Sequence, residues 1–183
     1  MRYADSKGPV VGLDLSLTST GISYLWADGT DRITAFKPSN TAGMARLVEI
    51  RNFLVEELLP LAWPKIVLEG YSFASKGAYA HEIGELGGIA KLAFYERQWR
   101  WVHVPPTVRA KFATGRGNAS KGEVVSAVSA RTGIAWTGSG AADECDAWIL
   151  QEMGLAYLGK PRLSWPAAQL AVLNSVDWSY WEK

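Results

Sequence analysis

The chain has 183 residues, 48% of them apolar and 20% charged, the size and make-up of one globular domain with a core of its own. No stretch approaches the roughly 20 apolar residues of a membrane span. The opening Met1-Arg2-Tyr3-Ala4-Asp5-Ser6-Lys7 lacks the apolar centre of a signal peptide, and a single cysteine, Cys145, excludes an internal disulfide framework or a Cys-rich zinc site; a cytoplasmic protein is expected.

Val10 to Leu15 is an apolar run that predicts a buried strand, followed by the polar turn Ser16 to Gly21. Ile22 to Trp26 alternates as a second strand. Asp28-Gly29 is a hairpin signal, and Arg32 to Phe36 returns as a third, completing an antiparallel meander. Asn40 or Thr41 is placed to cap a helix, in which Met44, Leu47, Ile50, Leu54 and Leu58 recur at helical spacing. Pro60 and Pro64 end it. Lys65 to Glu69 reads as a short central strand parallel to the first.

A helix with three glycines, Gly84, Gly87 and Gly88, is expected from about Ala78 to Arg97, close packing against a neighbour or mere tolerance accounting for them. Trp99 to His103 alternates as a fifth strand, stopped by Pro105-Pro106. A short helix over Thr107 to Phe112 leads to the loop Thr114 to Asn118. Ser120 then caps a helix, with Glu123 completing a capping box. The last long helix is expected over about Ala141 to Leu158, with an irregular, Trp- and Pro-rich tail from 159 to 183 that packs on the domain or on a partner. The order predicts a five-stranded mixed sheet, antiparallel in its first three strands and parallel after them, with helices on both faces.

Two charge patterns stand out. Net charge is only +1, yet Arg97, Arg100, Arg109, Lys111, Arg116 and Lys121 follow one another with no acid between them, a local basic stretch suited to a phosphate backbone. Against this, Asp14 and Glu69 each end an apolar strand, and Asp143 and Asp146 lie one turn apart at the start of the last long helix. A carboxylate at the end of a buried strand is costly without a neutralising partner, and hard divalent cations suit that much negative charge. Taken alone, the Asp143/Asp146 pair would be explained by the helix dipole. Cys145 reads as a small core residue, His103 as part of the basic stretch and His81 as a surface residue.

These motifs resemble the RuvC family of Holliday junction resolvases, within the ribonuclease H-like nucleases. Val11-Gly12-Leu13-Asp14-Leu15-Ser16 with Thr20-Gly21 is similar to the family's first motif and Val67-Leu68-Glu69 to its second-carboxylate strand. Ile83 to Ala90 resembles its glycine-bearing helix, Gly115-Arg116-Gly117-Asn118-Ala119-Ser120-Lys121 its Gly-x-Gly-x-Ala-x-Lys segment, and Asp143-Glu144-Cys145-Asp146-Ala147 its closing motif. The resemblance spans roughly 9 to 158, the expected nuclease domain, and the divergent tail suggests a phage-type variant. It implies a ribonuclease H-like fold and a homodimer that cuts branched DNA, four-way junctions above all, with divalent metal, in a bacterial cell or a phage-infected host. It also implies an aromatic probe after the second carboxylate, for which Tyr71 and Phe73 are both available, and a basic residue before the glycine loop, a position that Arg109 and Lys111 straddle.

Phosphodiester hydrolysis is served by a pair of Mg2+ ions, with Mn2+ a substitute: one activates water and the other stabilises the leaving 3′ oxygen. Asp14 is expected to bridge the two, Asp143 and Asp146 to hold one and Glu69 the other. Lys121, opening a helix after a glycine loop, is assigned to the scissile phosphate, and Arg109, Lys111, Arg116 and Lys121 to DNA. The alternatives are another ribonuclease H-like nuclease acting on flaps or RNA, a non-catalytic branched-DNA-binding module, or an actin-like kinase, for which the chain is about half too short.

Overall fold

The computed structural model describes residues 8–26, 28–40, 42–70 and 78–182. Its centre is a five-stranded sheet built from β1 (Val10–Asp14), β2 (Thr20–Leu25), β3 (Asp31–Phe36), β4 (Lys65–Glu69) and β5 (Arg100–Val104). The strands lie in the order β3-β2-β1-β4-β5. β1, β2 and β3 run antiparallel, and β4 and β5 run parallel to β1. This is the mixed sheet expected from the pattern. β2 begins two residues earlier than predicted, because Thr20 and Gly21 already pair with Phe36 and Ala35.

Strand alternation divides the core in two. Val11, Leu13, Ile22, Ile66 and Leu68 point to one face, where they meet Leu47, Ile50 and Leu54 of α1 (Gly43–Leu58) and Leu86, Ala90 and Phe94 of α2 (Ala78–Glu96). Each such buried side chain contributes about 1.5–3 kcal/mol. Val10, Val67, Val102 and Val104 point to the other face. There they meet α3 (Pro106–Thr114), α4 (Lys121–Thr132) and α5 (Ala141–Tyr157) through Phe112, Val124, Val128, Trp148, Ile149 and Met153. α5 lies along β1 and β2, and the acids of the sheet face it.

Local signals explain the ends of α3 and α4. Pro106 opens α3 where a missing N–H costs nothing, and Gly115 closes it at φ 82°. Ser120 and Glu123 form the expected capping box of α4. Two expectations need correction. Asn40 does not cap α1: the residue before that helix is Ala42, with no side-chain cap, and Asn40 binds Glu49 through both its backbone and its amide. Thr41 lies outside the described residues. Met44 is 62% exposed, because the first turn of α1 runs past the edge of the core. Of the two accounts of the α2 glycines, tolerance fits Gly84 and Gly88, where a Cβ would meet open space, while Gly87 is buried.

The segment after α5, expected to be irregular, forms α6 (Ala167–Leu170), a 3-10 turn (Ala171–Ser175) and α7 (Ser179–Glu182). Trp165, Trp178 and Trp181 join the α5-side core, Trp165 against Phe112 and Trp178 stacked on Tyr157. Glu152, fully buried on α5, ties the segment down by accepting from the backbone of Arg162 and Leu163, the Arg162 guanidinium and the Trp165 indole. No helix among the described residues is long and apolar enough to cross a membrane.

Candidate active site

Parallel register sets Leu13 beside Leu68, so the next residues, Asp14 and Glu69, end adjacent strands together. Even-numbered β1 residues and odd-numbered β4 residues share the α5 side of the sheet, and α5 brings its first turns over them. Oxygens of Asp14, Glu69 and Asp146 all lie within 4.8 Å of one another. Asp14 is 7% exposed and Asp146 2%. Asp143, a turn earlier on α5, stands at the rim, where its Oδ1 lies 3.4 Å from the Lys121 ammonium.

Two glycines permit this approach. A Cβ on Gly12 would collide with the carbonyl of Ala147, and one on Gly21 with the carbonyl of Asp143. Bare backbone at both positions lets α5 settle against β1 and β2, placing Asp143 and Asp146 above Asp14. These glycines belong to the first sequence motif, but their contribution is a contact distance that the motif alone does not reveal.

So much buried charge changes proton affinities. Burial, then the charge of Glu69, holds the Asp14 carboxyl well above the ordinary range. Burial lifts Asp146 to about 6, with Arg109 opposing and Glu69 assisting. Burial works against the Lys121 ammonium, but Asp146, Asp14 and Asp143 outweigh it and hold the group more firmly protonated than usual. Cys145 faces the core, and burial pushes its thiol up to about 12.

The basic residues separate into two kinds. Arg109, expected to face DNA, is instead buried inside the acidic cluster. Its Nε donates to Glu69 Oε1 at 2.6 Å, and its Nη1 donates to Asp146 Oδ1. The reason is position on α3: Arg109, Phe112 and Ala113 form its buried stripe, and an arginine on that stripe needs carboxylates. Lys111 lies off the stripe and is exposed, as is Arg116, which pairs with Glu123. Lys121 is 66% exposed at the rim, with its Nζ 3.9 Å from Asp146 Oδ2. Tyr71 and Phe73 lie outside the described residues.

The donor set suits a hard divalent cation: all oxygen, mostly carboxylate, and partly enclosed. One atom calls for such a partner directly. Asp146 Oδ2 is buried with no hydrogen-bond partner, an expensive state for a carboxylate oxygen. Asp14, Glu69 and Asp146 would hold the ion, with Asp143 within the same turn of α5.

No family model and no curated protein matches the chain. Solved structures match in shape. The Thermus thermophilus RuvC structure aligns with a TM-score of 0.62 at 21% identity, covering 85% of this chain and 99% of that one. The fold is that of RuvC. T. thermophilus RuvC in complex with Holliday junction substrate gives a TM-score of 0.64 at 21% identity, covering 86% of this chain and 99% of the RuvC chain. The ribonuclease H-like sheet expected from the sequence is therefore present. In this RuvC fold the ends of β1 and β4 and the start of α5 converge, which is where Asp14, Glu69 and Asp146 stand.

Proposed function

We propose that the chain is a structure-selective endonuclease that resolves Holliday junctions and other branched DNA by magnesium-dependent phosphodiester hydrolysis. The observation that carries this reading is the convergence of Asp14, Glu69 and Asp146 on one face of a RuvC-type sheet, with Lys121 at the rim. A module that only bound DNA would gain nothing from buried acids beside the phosphates. A likeness to a RuvC seen with a Holliday junction substrate supports the choice of branched DNA.

Bound there, a divalent cation supplies Lewis acidity toward the phosphate and lowers the pKa of water. The residues do the remainder. Asp14, on a central strand, gives the most rigid support. Asp143 and Asp146 approach from the helix side and Glu69 from the neighbouring strand. Lys121, on the first turn of α4, presents a firmly protonated ammonium to a phosphate oxygen. Lys111 and Arg116, both exposed, are assigned to the DNA backbone in this reading.

Residues up to 158 form the nuclease domain in this reading, and the remainder clasps α5. Symmetrical paired nicks call for two centres, hence a homodimer. The exposed stripe of α2, Gly84, Gly88, Leu92 (57% exposed) and Tyr95 (69% exposed), is an apolar surface open to a second copy. The setting proposed is the cytoplasm of a bacterial cell or of a phage-infected host.

The test is cleavage of labelled four-way junctions, flaps, linear duplex and RNA–DNA hybrid in Mg2+ or EDTA. Paired nicks, symmetric about the junction and dependent on Mg2+, are expected. Preference for flaps or hybrid would redirect the substrate, and no cleavage in Mg2+ or Mn2+ would defeat the reading.

A further inference from the structure

We propose that Lys65, Arg100 and Lys160 form a second phosphate-binding surface, at the end of the sheet opposite the acidic centre, and that it takes the backbone of an uncut DNA arm. The inference rests on the branched-DNA reading above and adds to it a contact remote from the chemistry.

Topology brings the three cations together. Lys65 opens β4 and Arg100 opens β5, and the parallel register sets them side by side. Alternation puts Lys65 on the face of Val67 and Arg100 on that of Val102, the side covered by α5. That helix runs from the acids toward the strand starts: Asp146 meets Asp14, and Gly154 packs on Val10 and Val67. Lys160 follows just past its end. Arg100 is fixed along one edge, its Nη1 donating to the Trp181 carbonyl at 3.1 Å. Lys65 and Arg100 are half-buried and Lys160 is exposed.

No acid among the described residues pairs with any of the three. Burial first, then the charges of Arg100 and Lys160, hold the Lys65 ammonium below its ordinary proton affinity. Arg109 and Arg162, the other enclosed cations of this face, are each matched by carboxylates. One cation beyond a helix C-terminus offsets the dipole; three gathered there repel one another, a cost that a bound polyanion removes. Position selects the polyanion. β4 has five residues between this patch and Glu69, a distance of about 13 Å, or close to four base pairs at a rise of about 3.4 Å. A duplex arm leaving the acidic centre along the sheet reaches the patch within half a helical turn. Contacts of this kind position the duplex without reading its bases.

The experiment measures affinity of the full chain for a four-way junction in EDTA over a series of KCl concentrations, and single-turnover cleavage at saturating protein in Mg2+. Lys65→Gln/Lys160→Gln should bind on the order of 10-fold more weakly at fixed salt and reduce the salt slope by about 2, with cleavage at saturation unchanged. It should melt no lower than the wild type, because repulsion is relieved. Lys160→Gln alone, at an exposed position, should reduce the slope by about 1, so the test stands even if the double variant unfolds. Arg51→Gln, which removes one exposed charge from α1, should change neither affinity nor slope. An unchanged slope in Lys160→Gln and the double variant, as expected of a surface for an acidic protein, overturns the inference and leaves the nuclease reading intact. So does a loss in Arg51→Gln equal to that in Lys160→Gln. Failure of the wild type to bind the junction overturns both.

Discussion

Gly12 on β1 lies directly beneath the carbonyl of Ala147 on α5, with no room between them for a methyl group. That contact sets the height of α5 over the sheet, and with it the distance from Asp146 to Asp14, two residues beyond Gly12. Replacing Gly12 with Ala must push the helix away or bend the strand. Overpacking of this kind costs about 1–3 kcal/mol or more where backbone is the obstacle. The expected result for Gly12→Ala is a lower melting temperature together with weakened Mn2+ binding. A variant that melts lower yet binds Mn2+ normally would show that the contact serves the fold alone.

The charged form of Asp14 is unfavourable, because the group is buried and lies beside Glu69. Asp14→Asn removes that repulsion. It should leave the metal-free protein as stable as the wild type or more so, keep junction binding and abolish cleavage. Gel shift, melting and nicking assays on one preparation separate the three. Residual nicking at a tenth of the wild-type rate or above would rule Asp14 out of the chemistry.

Lys121 is exposed, and its ammonium is near Asp143 and Asp146. Removing it should change little in stability, since exposed pairs contribute about 0–1 kcal/mol. Lys121→Ala is expected to lower single-turnover cleavage by about 100-fold, within the range for one transition-state contact, and affinity by less than about threefold. Equal losses in both would make it a DNA-gripping residue only.

Acid–base behaviour follows from Asp146, raised to about 6 by burial, against an ordinary value near 4 in the unfolded chain. Between those values the native protein holds more protons than the unfolded one. Stability from this group is therefore fully present below about pH 4 and lost as pH rises through about 6, on the order of 3 kcal/mol. Glu49 and Glu123, held low by backbone hydrogen bonds, act in the opposite sense at more acid pH, so the comparison is with Asp146→Asn. In EDTA the wild type should lose stability relative to that variant between pH 4.5 and 7. Mg2+ should reverse the trend, because it binds the ionised form. Parallel calorimetric curves for the two proteins in EDTA would refute this.

Glu152 is fully buried and holds the segment from Arg162 to Trp165 through four donors. Glu152→Ala leaves those donors unpaired and should cost about 3–5 kcal/mol. Limited proteolysis should then cut near 160–166 before the rest of the chain, with a shift in tryptophan emission. Uniform digestion of the variant would mean that the clasp is not a separate unit of stability.

Much of the fold was legible because strand alternation, turn residues and the Ser120/Glu123 box all agree locally. The meeting of Asp14 and Glu69 was legible too, since both end short apolar strands of the same parallel set. Arg109 was not. Counting charges from 97 to 121 treats every basic residue as outward, whereas Arg109 is in line with Phe112 and Ala113 at i+3 and i+4. That spacing was the available signal, and it separates Arg109 from Lys111. The lead-in to α1 misled for another reason: Asn40 met a better partner in Glu49, nine residues on and invisible to local capping rules.

Asp14 leaves the ribosome early, while Asp143 and Asp146 leave it only after most of the chain has been made. α5, which carries both, packs on β1 and β2. Translation itself thus acts as a safety catch: a nascent or prematurely terminated polypeptide lacking α5 has no assembled acidic centre.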